Sequence, residues 1–485
     1  MEDIRNAQHP AETEEDIRRS IARHEHSVAD LQTEIENLMH GIRTLRFQII
    51  KHEEAIRIHK GKITLARRLP LEILATIFEK CTLDGWTRAP LAVSHVCSEW
   101  RRAAQTPAVW SQVYVSVDSP DPYGRTQFWL AKSQSVAIDI TIDLQNSAGP
   151  IYEIMDLLVL HRSRWRSLTL ASFQLTAAND VLQRCADGVY PILRTLRVSV
   201  DEEVVPGDSE TLSLRDSFDN CPQLRSCIIN RNLPPSGRDI PSNITNLSVN
   251  LDGLSTILLS VETLMDLLLD LPLLENFSIS LAQAQETTFT RDTERLATLP
   301  TLKELTLVGQ ADLFAVLRNV HTPAILRLHL ISSAEPIPVS DQWTGLTLSQ
   351  WVDLGNTSLE LLELRDVDVA EDVFIACFTA SRDLKTLELH DSEISDAVIE
   401  SLHVLCPTLA VLDLRWCGQV TGRALVRFVQ SRMVMGSTPI EIITIINCSF
   451  VEEQDILDLA CNTVCRLVID LNDHCREQIP HLDAL

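Results

Sequence analysis

One apolar motif recurs through most of the chain and limits what it can fold into. The pattern is Leu-x-x-Leu-x-Leu with conservative replacements, as in "LKELTL", "LELLEL", "LKTLEL" and "LAVLDL". Alternation of apolar and polar residues over so short a stretch predicts a strand that buries one face. The second apolar residue of each motif is called its anchor. The twelve anchors are Leu168, Leu196, Cys227, Leu247, Phe277, Leu305, Leu328, Leu362, Leu387, Leu412, Ile443 and Leu467.

The anchors are separated by about 27 residues on average, and helical segments such as "DAVIESLHVL" lie between them. Repeats of this length predict a solenoid, because each unit buries its apolar face only against its neighbours. The segment "VAIDITIDL" at 136–144 predicts one more strand before the first anchor. Cys417 and Cys448 each follow an anchor by five residues, which predicts buried thiols rather than metal ligands. The polar residues between anchors are candidates for the exposed face of the strands, among them Arg197, Asn250, Glu304, Arg365 and His390.

The N-terminal segment has a seven-residue period. Its first apolar position holds Ile21, Val28, Ile35, Ile42, Ile49, Ile56 and Ile63, and the second holds Ile17, Leu31, Leu38 and Leu45. β-branched residues at the first position and leucine at the second favour a parallel two-stranded coiled coil. His24, His52 and His59 weaken this seam. The pattern fits a homodimer formed through residues 17–63, or one long helix that folds back onto its own chain.

A short helical segment follows, and it carries more apolar surface than a unit of its size can bury. In "RRLPLEILATIFEKC", Pro70 suits a helix start, and Ile73, Leu74, Ile77 and Phe78 recur at helical spacing. The segment "RAPLAVSHVCSEWRRAAQTPAVW" predicts a second helical stretch and a last turn that ends at Trp110. About fifty residues rarely form a sufficient core alone. The apolar residues therefore need either the following domain or another protein.

Charge and cysteine usage restrict the possible partners. The formal net charge of −25 repels phosphate backbones and anionic lipid, so we expect neither nucleic acid nor a membrane as the main partner. The twelve cysteines form no disulfide framework, which indicates reduced thiols and hence the cytoplasm or nucleus.

Motifs for catalysis or cofactor binding are not found in the sequence. It has no glycine-rich phosphate loop, no H-E-x-x-H and no G-x-S-x-G. The best metal candidate is the set Cys461, Cys465, His474 and Cys475, but its spacing matches no common zinc module. We therefore expect no catalytic residues, no cofactor and no metal, and a protein that is not itself an enzyme.

The segment 66–115 resembles an F-box. The resemblance is carried by Leu69-Pro70, Glu72-Ile73-Leu74, Ile77-Phe78, Val96-Cys97, Trp100-Arg101 and Trp110. The repeated segment resembles leucine-rich repeats of the cysteine-containing type, most closely in "CPTLAVLDLRWCGQVTGRAL". The combination with a coiled-coil leader is similar to the F-box proteins of mushroom-forming fungi.

These resemblances imply an α/β solenoid, a leucine-rich-repeat horseshoe, preceded by a small all-α F-box and an N-terminal coiled-coil helix. The expected boundaries are a flexible acidic leader at 1–14, the coiled-coil helix at 15–65, the F-box at 66–115 and the repeats at 116–485.

The F-box resemblance implies binding to a Skp-type adaptor and, through it, to a cullin–RING ubiquitin ligase. The chain would then be the substrate-recognition subunit of an SCF-type ligase, and its repeats would bind an unknown protein target. By this carry-over the adaptor-binding residues are Leu69, Pro70, Ile73, Leu74, Ile77, Phe78, Val96 and Trp100. The two tryptophans Trp100 and Trp110 could instead pack the F-box against the first repeat. The alternative function is a leucine-rich-repeat scaffold or sensor that acts without a cullin ligase.

Lysine is scarce, with seven residues against 35 arginines. This scarcity fits a protein that works beside a ubiquitin-conjugating enzyme and offers it few acceptor amines. Compositional drift in a GC-rich genome explains it equally simply.

Overall fold

The computed structural model describes residues 13–63, 69–144, 151–186, 188–202, 214–231, 239–252, 256–281, 286–290, 295–309, 313–333, 341–355, 359–367, 369–434 and 438–468. The chain forms two compact units. One, here called the helical unit, comprises Met1–Phe78 and Leu91–Ala104. The other, the sheet unit, comprises Glu79–Pro90 and Gln105–Leu485. His474, Cys475 and most of the predicted acidic leader lie outside the described residues.

The N-terminal segment is one continuous helix, Glu14–Ile63. Acidic residues occupy its first turn, Glu14, Glu15 and Asp16, where they stabilise the positive end of the helix dipole. Its described side chains are exposed almost throughout, including the apolar residues of the seven-residue period from Ile17 to Ile56. The helix therefore leaves its apolar seam uncovered by its own chain.

The segment of predicted F-box resemblance consists of short helices. They are Leu71–Leu83, Ala89–Ser94 and Ser98–Ala103, followed by a 3₁₀ turn at Pro107–Trp110. Pro70 directly precedes the first helix, and its carbonyl accepts the N–H of Leu74 at 3.1 Å. The chain needs no N–H from Pro70 here, which is why proline suits this position.

The sheet unit is built on one long parallel sheet, for which the described residues supply fourteen strands. The strands are β1 Gln112–Ser116, β2 Ile138–Leu144, β3 Trp165–Ser172, β4 Thr195–Val200, β5 Ser226–Asn230, β6 Asn246–Asn250, β8 Asn276–Ser280, β11 Glu304–Gly309, β13 Arg327–Ser332, β14 Leu361–Arg365, β15 Thr386–His390, β16 Val411–Arg415, β17 Ile442–Ile446 and β18 Val464–Val468. They follow one another in chain order. Two small parallel pairs stand apart: β7 Thr256–Ser260 with β9 Glu286–Thr290, and β10 Ala297–Thr298 with β12 Val320–His321.

Helices or 3₁₀ turns lie between most successive strands of the long sheet. The helices are Pro122–Ser133, Ile151–Val159, Leu175–Cys185, Leu214–Phe218, Val261–Leu269, Asp341–Asp353, Glu371–Ala380, Asp396–Leu405, Gly422–Val434 and Glu453–Ala460, with 3₁₀ turns at Arg162–Arg164 and Leu313–Asn319. Ser395 shows how such a helix starts: its hydroxyl accepts the N–H of Val398 and satisfies a free donor. Alternating strands and helices on a parallel sheet make this unit a solenoid-like α/β fold.

The sheet register confirms eleven of the twelve anchors. Leu168 to Ile443 lie directly opposite one another from strand to strand, and each of these eleven residues is at most 3% exposed. The twelfth anchor is wrong by two residues, because Ile443 pairs with Cys465 and Leu467 pairs with Ile445. The strand predicted at 136–144 is β2. Strand β1 was not predicted, and it begins inside the predicted F-box boundary.

A left-handed residue ends several of the strands. Asp366, Asp391, Trp416 and Asn447 each follow a strand directly and have φ between 50° and 59°. The N–H of Asp391 donates to the carbonyl of Arg415 at 2.7 Å, so the turn adds one hydrogen bond to the ladder. Asn and Asp tolerate this conformation best among residues with a Cβ, whereas Trp416 is unusual there.

The two cysteines that follow anchors are free thiols. Cys417 is fully buried and Cys448 is half-buried. Cys417 Sγ donates to the carbonyl of Leu389 at 3.4 Å, and Cys448 Sγ donates to that of Leu414 at 3.7 Å. The prediction of a buried thiol is thus confirmed for Cys417, whereas Cys448 is less covered than expected. No helix in the described ranges is long and apolar enough to span a bilayer.

Candidate functional site

The helix Leu71–Leu83 splits its apolar residues between two faces. Leu69, Ile73 and Ile77, one turn apart, are 37%, 48% and 43% exposed. These three residues are here called the apolar ridge. An exposed apolar strip on an otherwise packed helix is a feature of surfaces that bind another protein.

The opposite face of the same helix is interior. Leu74 and Phe78 are each only 2% exposed. The ring of Phe78 lies 5.0 Å from that of half-buried Trp100, centroid to centroid. The prediction that Leu74 and Phe78 contact an adaptor is therefore corrected, because neither offers surface to a partner in this conformation. Their role is packing, and Trp100 shares in it.

The predicted second helical stretch consists of two short helices, Ala89–Ser94 and Ser98–Ala103. Cys97 has extended backbone angles, and its Sγ accepts the N–H of Trp100 at 3.5 Å, so it caps the helix Ser98–Ala103. Val96, just before this cap, is 60% exposed and stays a candidate for partner contact. Pro70 is exposed as well.

Trp110 belongs to the sheet unit. It is 4% exposed, and its ring packs edge-on against Phe128 and Trp129 at 5.4 and 5.1 Å. Trp110 therefore has a packing role rather than a surface for adaptor contact. Trp100 packs within the helical unit.

A second candidate site lies on the sheet face opposite the buried anchors, here called the open face. Across β13 to β16 one register row on this face holds His329, Glu363, Glu388 and Asp413. The row two residues later holds Arg365, His390 and Arg415 on β14 to β16. These seven residues are here called the open-face cluster.

Two of the three carboxylates in the cluster form an ion pair with an arginine on the same strand. Glu363 is paired with Arg365 of the same strand and, at 2.5 Å, with Nδ1 of His329. Asp413 accepts two hydrogen bonds from Arg415, at 2.9 and 3.0 Å. Within the described chain, no hydrogen bond or ion pair joins the carboxylate of Glu388 to another residue.

Burial and charge set the protonation of these groups. Burial opposes ionisation of Glu363, but the His329 hydrogen bond and the Arg365 charge outweigh it and lower its pKa to about 2. Burial, then the charges of Glu363 and Asp413, raise the pKa of Glu388. Burial, then the charges of Arg365 and Arg415, lower the pKa of His390 to about 4. At neutral pH His390 is therefore a neutral imidazole beside carboxylates.

Two residues of this cluster were predicted from the sequence. Arg365 and His390 were among the predicted open-face residues and lie together here, whereas Arg197 and Asn250 lie on distant strands and Glu304 is paired with Arg327. The central carboxylates, Glu363, Glu388 and Asp413, were missed. The signal that would have found them is a tripeptide at the same register in three successive repeats: "ELR", "ELH" and "DLR".

Comparison with known proteins identifies one part of the chain. No curated protein matches it. Among solved structures, it aligns with a chain of the crystal structure of the Rad7 and Elc1 complex in yeast, at 11% identity over 85% of this chain and 97% of that chain. The TM-score of this alignment is 0.36. The family model described as F-box-like matches residues 66–116. The chain therefore contains an F-box-like domain at residues 66–116.

Proposed function

We propose that this chain is the substrate-recognition subunit of an SCF-type ubiquitin ligase. Its F-box-like domain would bind a Skp-type adaptor, and its repeats, which we interpret as leucine-rich repeats, would bind the protein to be ubiquitinated. The ligase chemistry would reside in the partner subunits, in the cytoplasm or nucleus. The observation that carries the proposal is the exposed apolar ridge within the F-box-like domain.

The ridge has the properties of a docking surface for another protein. Leu69, Ile73 and Ile77 are exposed, while Leu74 and Phe78 on the same segment are interior. A partner that covers the ridge removes apolar area from water, at about 25 cal/mol for each Å² buried. We assign direct adaptor contact to the ridge, to exposed Pro70 and to Val96.

Co-purification tests this assignment. The full chain carrying Ile73→Asp or Ile77→Asp should lose a Skp-type adaptor that the unmodified chain retains, because a carboxylate would be buried in an apolar interface. Leu273→Asp is the matched control, since Leu273 is 50% exposed and lies in the sheet unit. Phe78→Asp is unsuitable, because a charge in the interior would unfold the domain.

One outcome of this experiment would contradict the proposed function, and another would contradict only the assigned contact surface. If the unmodified chain binds no Skp-type adaptor, the protein acts without a cullin ligase, and the scaffold or sensor alternative takes its place. If the Ile73 and Ile77 variants bind like the control, the adaptor contacts a different surface.

The N-terminal helix carries a proposal of its own, a parallel homodimer through residues 17–63. Ten residues of its apolar seam are between 45% and 61% exposed, namely Ile17, Ile21, Val28, Leu31, Ile35, Leu38, Ile42, Leu45, Ile49 and Ile56. The helix is about 75 Å long at 1.5 Å per residue. A β-branched and leucine seam of this length is matched by a second copy of itself.

Light scattering on the full chain tests dimer formation. We expect a dimer for the unmodified chain and a monomer for Leu38→Lys, which places a charge in the seam. Phe47→Lys is the control, because Phe47 is 70% exposed but lies outside the seam. A monomeric unmodified chain, or a dimer that tolerates Leu38→Lys, would show that the seam does not pair with itself.

A further inference from the structure

The open-face cluster lacks one positive charge at its centre. On β14, Arg365 pairs with Glu363, and on β16, Arg415 pairs with Asp413. On β15 the equivalent position holds His390 instead of an arginine. Carboxylates side by side on adjacent strands repel one another. The repeating pairing is therefore broken at Glu388.

Three possible metal-binding atoms lie close together at this gap. One donor atom from each of Glu363, Glu388 and His390 lies within 4.8 Å of the other two. Three donors at this separation can all bind one small cation after side-chain rotation. Acidic clusters are common on protein surfaces and do not by themselves indicate a metal site. The evidence that favours a bound cation here comes from the histidine.

The side chain of His390 is buried, and its Nε2 atom has no hydrogen-bond partner within the described ranges. The residue is 9% exposed. Oδ1 of Asp413 lies 3.9 Å from Nε2, which is too long for a hydrogen bond. A buried polar atom without a partner is costly, and a bound cation would satisfy it.

We propose that Glu363, Glu388 and His390 form a binding site for a divalent transition-metal ion, with Zn²⁺ as the best fit. One imidazole and two carboxylates, with an open position toward solvent, are ligands that Zn²⁺ accepts. The imidazole disfavours Mg²⁺ and Ca²⁺, which prefer all-oxygen sites.

The neighbours of these ligands fit the same assignment. Metal-binding carboxylates are held in place by hydrogen bonds from surrounding residues. Glu363 has two such partners, His329 and Arg365.

Calorimetric titration of the full chain with Zn²⁺ tests the site. The protein is first stripped with a chelator, and its accessible thiols are alkylated, because exposed cysteines such as Cys461 would also bind Zn²⁺. We expect one Zn²⁺ per chain, and at least tenfold weaker binding of Mg²⁺. Glu388→Gln and His390→Gln should each abolish the site or weaken it at least tenfold. His329→Gln should weaken it by about 10–100-fold.

Glu304→Gln is the matched control for the titration. Glu304 is a carboxylate on the open face of β11, outside the cluster, and should leave Zn²⁺ binding unchanged. Circular dichroism checks that each variant is folded. The proposal is overturned if the unmodified chain binds no Zn²⁺, or if Glu388→Gln and His390→Gln bind it as the control does. Binding of an arginine- or lysine-containing peptide at Glu388 in place of the metal would also overturn it, in favour of a basic side chain as the ligand.

Discussion

Arg432 is a cation in the interior of the sheet unit, and its replacement tests how neighbouring repeats are held together. It lies on the helix Gly422–Val434 and is 1% exposed. Its guanidinium donates to the carbonyl of Cys406 and, at 2.7 Å, to that of Pro407. Cys406 is the C-cap of the helix Asp396–Leu405. A cation at this end satisfies carbonyls and stabilises the negative end of the helix dipole.

The expected cost of Arg432→Met follows from these contacts. Each hydrogen bond from a charged donor contributes about 1.5 kcal/mol or more, so two give about 3 kcal/mol. No penalty for an unpaired carbonyl is added, because Leu409 N–H still donates to Cys406 and Thr438 N–H to Pro407. The methionine side chain fills much of the vacated volume, so the cavity term is small.

Urea denaturation, followed by far-ultraviolet circular dichroism, measures the change in the free energy of unfolding. Arg427→Met is the matched control, because Arg427 lies on the same helix and pairs with Glu400 of the preceding helix, but both are exposed to solvent. An exposed pair contributes at most about 1 kcal/mol. The reasoning is refuted if Arg432→Met lowers the free energy of unfolding by no more than Arg427→Met does. In that case, removing the buried charge would stabilise the protein by as much as the two lost hydrogen bonds destabilise it.

Three further changes have defined outcomes. Phe78→Ala should destabilise the F-box-like domain by about 3–5 kcal/mol, because it leaves a cavity beside Trp100. Thermal melting measures this loss, and an unchanged melting temperature would contradict the packing of Phe78 against Trp100. Asp391→Val should lower stability by about 1–2 kcal/mol while Asp391→Asn should not, since a β-branched residue fits poorly at positive φ; equal melting temperatures for the two variants would argue against a strained turn. Burial raises the pKa of Cys377 to about 12. At pH 8 a thiol reagent should therefore modify exposed Cys461 within minutes and leave Cys377 unmodified until the protein unfolds. Mass spectrometry of the labelled protein checks this.

The repeat motif predicted most of the sheet for two reasons. Its alternation of apolar and polar residues predicts each strand, and the position of its anchor predicts which residues pair between strands. The buried anchors are apolar in every repeat, so their alignment follows from sequence alone for eleven strands. The last anchor failed because "VCRLVI" is apolar at Val464, Cys465 and Leu467, and pattern alone does not choose between two registers. Strand β1 carries no leucine motif and was missed.

The candidate sites were harder to predict for a physical reason. Leu74 and Ile77 are both apolar and lie on one short helix, so periodicity alone does not tell which of them faces the interior. For the open-face cluster, Glu363 and Glu388 appear as ordinary polar residues of a strand. Their closeness depends on strand pairing between repeats 25 residues apart, which only the sheet register provides.

The order of the strands bears on how this protein is made. Each strand of the long sheet bonds to its immediate predecessor and successor along the chain. The sequence separation across such a pair is about 27 residues in a chain of 485, which gives a relative contact order on the order of 0.06. Chains with such short-range contacts fold quickly. The early repeats can therefore acquire their native partners on the ribosome, before synthesis has reached the last strand.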